Sequence, residues 1–162
     1  MKHAGRGQAM LYTVLLLPVL TLTFTAVLGI GTLQLQQLRL RWALDMAAVD
    51  AVTAVDARAY SVSGRIQLDT DVAAQTFREY LIRNLEPLSS DIGGSGKAVQ
   101  TAAASEVAVI NAIPARDPFG SAVLDRPALC ARIRVPYHDG FLAWFHQQAV
   151  TLDLHTVAEV RS

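Results

Sequence analysis

The chain has 162 residues with 14 Lys or Arg against 14 Asp or Glu, so its formal net charge is zero and it lacks the basic footprint of a nucleic-acid binder. Its single cysteine, Cys130, excludes an intramolecular disulfide without excluding an oxidising compartment. The 52% hydrophobic fraction is inflated by one N-terminal stretch, and what remains is enough for one domain of modest size.

Residues 1–7 form a short basic tail carrying Lys2, His3 and Arg6, and no residue from Gln8 to Leu38 is charged. The most apolar part, Ala9 to Leu33, makes a helix of roughly 37 Å at ~1.5 Å per residue, enough for a hydrocarbon core of about 30 Å. A transmembrane helix over 8–33 is therefore expected, with lipid as its surroundings. Pro18 is expected to bend it, the lost backbone bonding being made up locally. Three N-terminal readings stand side by side: a signal peptide cut near Gly29-Ile30-Gly31, an uncut signal anchor, and a leader cut after Gly7 so that the mature chain starts at Gln8.

After Gly31 the chain has neither proline nor glycine until Gly64. An uninterrupted helix to about Ala59 is expected, its extramembrane part a stalk over 34–59. At 100° per residue Leu35, Leu38, Trp42, Met46 and Val49 fall on one side. Leu40, Leu44, Ala47, Ala48, Ala51 and Val55 fall on the other. One apolar stripe is normal for a surface helix; two imply two partners, either the chain's own domain and a second helix or a single enclosing domain. The alanine-rich stripe permits close helix approach and is the candidate assembly face.

Arg6-Gly7-Gln8-Ala9, the uncharged helix with its early proline, and Arg39-Leu40-Arg41-Trp42-Ala43-Leu44-Asp45-Met46-Ala47-Ala48-Val49 together resemble the TadE/TadG-like family, pilin-like proteins of the tight-adherence (Flp) pilus system. Arg39, Leu40, Ala43, Asp45, Ala47 and Ala48 match that family's post-helix pattern, with Val49 in place of leucine. The strong part of the resemblance covers about residues 5–55; further on, Val135-Pro136-Tyr137 and Val150-Thr151-Leu152 are similar only in pattern. It implies a non-catalytic, pilin-like inner-membrane protein of a bacterium, single-pass, associating with other pilin-like or pilus-assembly proteins, with Gly7 and Gln8 the candidate cleavage site for a prepilin peptidase. Lys2 and Arg6 against Arg39, Arg41 and Arg58 leave the positive-inside count near balance, so the expected cytoplasmic N-terminus and exported domain rest mainly on the resemblance. Processed members usually carry a glutamate five residues into the mature helix, where this chain has Tyr12. Tyrosine supplies no charge to a neighbour's amine, which favours a minor or accessory role.

The rest, 60–162, reads as an extracytoplasmic α+β domain. Tyr60 to Arg65 is the expected break. Asp69-Thr70-Asp71 caps a helix from about Asp71 to Leu85 with Ala73, Phe77, Leu81 and Leu85 on one face, and Pro87 stops it. Ser89 to Gly96 is expected to be a flexible loop. Glu106 to Ile113 reads as a central strand and Pro114 to Pro127 as a loop. Two strands, Ala128–Tyr137 and Ala149–Arg161, alternate apolar and polar residues, as in an antiparallel sheet wetted on one side. Cys130, Arg132 and Arg134 fall on the polar face, where the arginines would meet Asp153, His155 or Glu159. The long helix is expected to cover the apolar face.

No motif carries catalysis. Cys130 reads as unreactive, and His138, Asp139, His146 and His155 match no metal-ligand spacing. The carboxylates Asp69, Asp71, Asp91, Glu79, Glu86 and Glu106 show no paired spacing. Gly93-Gly94-Ser95-Gly96 lacks a following Lys-Ser/Thr and precedes no clear helix. No cofactor is expected. The aromatic turn Phe141, Leu142, Trp144 and Phe145 is a candidate partner contact. Beside the pilin-like reading stands a second, a single-pass anchored binding module unrelated to pili. A membrane-anchored enzyme is third, with no convergent residues behind it.

Overall fold

The computed structural model describes residues 4–94, 96–136 and 151–160. The chain forms two compact units, Met1–Leu35 and Gln36–Ser162, and is of the α+β class.

Helix α1 runs Ala4–Ala51 with Pro18 inside it. It stops short of the expected Ala59, so the stalk is shorter than 34–59. The cause is Asp56, whose backbone is extended and whose side chain accepts from the Arg58 and Ala59 amides of a second helix, α2, Ala57–Ser63. An aspartate that caps one helix cannot lie inside another. Between the two, Thr53 turns its hydroxyl onto the Asp50 carbonyl at 2.7 Å, and Val55 bridges Leu68. The break expected at Tyr60 to Arg65 is thus mostly α2, which Gly64 ends at φ +66°.

Helix α3, Thr70–Leu85, is capped by Asp69 and buries Ala73, Phe77, Leu81 and Leu85, the face the sequence spacing gives. The helix ends at Leu85, ahead of Pro87, as expected; the proline then opens a new element. It sits in the first turn of a 3₁₀ segment, Glu86–Ile92, where its missing N–H costs nothing. Half of the expected Ser89 to Gly96 loop therefore lies in this segment, which Gly93 closes at φ +92°. A further helix, α4, Lys97–Ala103, follows Gly96, where no clear helix is expected. Its two buried residues are alanines, Ala98 and Ala102, too small to announce a stripe.

Among the described residues three strands form the main sheet: β1 Glu106–Ile110, β4 Ala128–Pro136 and β5 Thr151–Glu159. They are antiparallel in the order β1-β4-β5, so β4 is central and β1 is an edge, not the expected central strand. The Pro114 to Pro127 region contains a small hairpin, β2 Ala115–Arg116 and β3 Val123–Leu124. The sheet's cover is shared: α3 packs on β1 and α4 on β4. Residues Leu40, Ala43, Leu44, Ala47, Ala48 and Ala51 of α1 are fully buried in the same unit. Asn84 of α3 donates to the Ala43 carbonyl at 3.2 Å, and Gln36 donates to the Asp91 carbonyl of the 3₁₀ segment. On the sheet's opposite face the hairpin builds a second, smaller core of Leu124, Ala128 and Cys130 with Phe119, Ile110 and Val157 against it.

Candidate functional site

Within the first unit, the apolar side chains described between Met10 and Ile30 lie open, including Tyr12 at 62% exposure and the leucines that follow. Among the described residues, α1 is the one helix long and apolar enough to cross a membrane. Several of its hydroxyls are closed internally. Thr21, Thr23 and Thr25 turn their hydroxyls back onto the carbonyls of Leu17, Val19 and Thr21 at 2.8, 2.8 and 2.7 Å. These threonines follow Pro18, and such back-bonding lets a hydroxyl reside in hydrocarbon without a missing partner. Gly7 and Gln8 lie in the opening turns of the same helix.

The two stripes of the helix end differently. Leu40, Leu44, Ala47, Ala48 and Ala51 are completely buried by the chain's own second unit. The alanine stripe is therefore occupied and is not free for a second helix. Small side chains there serve close packing within the domain. Val55, assigned to that stripe, lies beyond the end of α1 and is 40% exposed. The opposite stripe is the open one: Leu38, Trp42, Met46 and Val49 are exposed, Trp42 at 63%. The candidate contact Phe141, Trp144 and Phe145 lies outside the described residues.

The sheet's wet face carries the expected charge ladder. Arg132 grips Asp153 with two hydrogen bonds, one of them Nε to Oδ1 at 2.7 Å, while Arg134 lies 3.4 Å from Glu106 and 3.8 Å from Asp153. The Arg132 hydrogen bond, with the nearby positive charges, holds the Asp153 carboxyl below its ordinary range. Both partners are partly exposed to solvent, so the pair orients the strands more than it stabilises them.

Cys130 is not on that wet face in effect, because the β2–β3 hairpin covers it and leaves it 0% exposed. Its thiol donates to the side chain of Asp117, itself buried at 4% exposure. Burial, then the Asp117 charge and hydrogen bond, push the thiol pKa up to about 12. Gly120 lets Asp117 and His155 approach each other: a Cβ there would stand 2.5 Å from Asp117 Oδ2 and 3.2 Å from His155 Nε2. Asp117 thus stands beside the Cys130 thiol, while His155 borders the same glycine. The thiol is held neutral and sealed in the core, the wrong state for a nucleophile. Among the described residues no group of three His, Cys, Asp or Glu is placed to hold a metal.

Sequence reasoning missed Asp117 because it stands among turn residues that read as solvated. It also missed Asn111, whose side-chain amide accepts from the Leu68 N–H at 2.8 Å and donates to the Leu68 carbonyl at 2.9 Å, tying the α2–α3 link to the end of β1. No protein-family model, curated protein or solved structure matches this chain.

Proposed function

We propose that this chain is a non-catalytic, pilin-like membrane component of a bacterial tight-adherence pilus or related secretion apparatus. In this reading it is anchored once in the inner membrane with its N-terminus cytoplasmic and the second unit outside. The observation that carries the reading is the two-faced end of α1: Leu40, Leu44, Ala47 and Ala48 lie in the core while Leu38, Trp42, Met46 and Val49 lie open on the same helix. Lipid headgroups do not account for the whole open stripe, since Val49 stands about 16 Å along the axis from Leu38 at ~1.5 Å per residue. A neighbouring helix covers such a stripe along its length. The resemblance of residues 5–55 to TadE/TadG-like sequences supports a pilin-like neighbour.

The test is a photo-crosslinking residue at position 42 or 46 of the full-length protein in its native membrane. The reading expects a crosslink to another single-pass, pilin-like protein, and none from position 44. Labelling of lipid alone from both open positions would overturn it.

A further inference from the structure

Among the described residues, strand β5 is the outer strand of the sheet, paired with β4 on one side. Its free edge does not face open solvent. It forms the floor of a groove walled by the end of α1 and by the β2–β3 hairpin. One end of the groove is a cavity of about 450 Å³ bordered by Arg41, Asp45, Asp117, Ser121 and His155. The other is a cavity of about 820 Å³ bordered by Val52, Val55, Leu124, Val157 and Val160. The two share Val49, Ala122, Val157 and Ala158, so the groove is continuous along His155 to Val160.

The floor has a defined hydrogen-bonding character. The Val160 amide donates to the Pro127 carbonyl, so in the β4–β5 register Thr156, Ala158 and Val160 spend their backbone groups on β4. His155, Val157 and Glu159 alternate with them, and their N–H and C=O groups point into the groove. An apolar small molecule would leave these donors and acceptors without partners. A second copy of β5 would bring its own walls, an α1 and a hairpin, against these. What fits is a lone extended strand, recessed between two walls and bonded along the edge.

We propose that this groove is a strand-addition site. It takes an extended segment of about six residues from a partner protein, apolar at alternate positions, as a fourth strand beside β5. The valines lining the larger cavity receive the apolar side chains, and the recess explains why so long an edge strand carries no proline or bulge to guard it. The site does not depend on the membrane reading; it meets the Trp42 stripe at Val49 alone, and its floor and other wall belong to β5 and the hairpin.

The test is selection of a random twelve-residue peptide display library against the full chain in lipid nanodiscs. The expected winners alternate apolar and polar residues. Their binding weakens at least tenfold in His155→Pro and in Glu159→Pro, which remove edge-facing N–H groups without touching the β4 ladder. Amide exchange at positions 155, 157 and 159 slows at least tenfold with the selected peptide bound, while positions 156 and 158 do not change. Unchanged thermal unfolding shows that each proline variant is folded. If either is not, Val49→Lys, on the exposed wall, is expected to weaken binding by a similar factor. No enrichment over empty nanodiscs, enrichment indifferent to these substitutions, or crosslinking of β5 to β5 in a second copy would overturn the proposal.

Discussion

Replacing Leu44 and Trp42 by alanine, one at a time, separates the two faces of α1. Leu44 is 0% exposed and packs where α1 meets the rest of its unit, while Trp42, two residues away, is 63% exposed. Truncating a fully buried leucine removes the transfer energy of the lost carbons and leaves a cavity, about 3–4 kcal/mol together for a site that relaxes little. Surface truncations away from special features stay within about 0.5 kcal/mol. At roughly 3–5 °C per kcal/mol for a unit of this size, Leu44→Ala lowers the unfolding midpoint by about 9–20 °C and Trp42→Ala by no more than about 2.5 °C. Thermal unfolding of the full-length protein in detergent, followed by near-ultraviolet circular dichroism, reads both values. Crosslinking yield in membranes reads the reverse order, lost in Trp42→Ala and kept by folded Leu44→Ala protein at low temperature. Equal midpoint losses for the two variants would refute the assignment of one stripe to the core and the other to a partner.

Other outcomes follow from the same packing. Cys130 should resist an aqueous thiol reagent at pH 8 in the folded protein and react at once in denaturant. Its folded pKa lies above the ordinary 9.0, so the folded state holds a proton that the unfolded state releases, and stability should fall as pH rises from about 9 toward 12. Asp153 has the opposite sign: its carboxyl is held low, so the contribution of the Arg132 pair is present above its ordinary value of 3.8 and fades as pH falls through the lowered one. Asp153→Asn should therefore lower stability slightly at neutral pH, leave it unchanged once the carboxyl is protonated in acid, and so flatten the acid limb. Asn111→Ala strands both backbone groups of Leu68 and should cost about 1–3 kcal/mol in a denaturant titration, whereas Asn111→Gln, which keeps the amide on a longer arm, should recover part of it.

The elements legible in the sequence are those whose periodicity was strong and whose ends carried chemistry. α3 could be placed to a residue because Asp69 caps it and Phe77, Leu81 and Leu85 recur on one face. β4 and β5 were legible by alternation, and the meeting of Arg132 and Arg134 with Asp153 follows from their antiparallel pairing. The end of α1 was not legible. Asp56 reads as one more polar residue on a long helix until its partners, the Arg58 and Ala59 amides, are seen. Nor did the two stripes of α1 say which was buried, since alanine suits a core as well as a helix interface. Cys130 shows the limit of alternation: period two gives the face of a strand, but a distant hairpin decides whether that face is wet.

The central claim is that α1 crosses a membrane once and delivers the second unit to the far side. Protease added to intact spheroplasts, with the membrane-held remainder weighed by mass spectrometry, tests it most directly. The account predicts removal of the second unit and a protected fragment ending close after Leu38, still resistant to carbonate extraction. Release of the whole chain by carbonate, or full protection of the second unit until the membrane is broken, would contradict it.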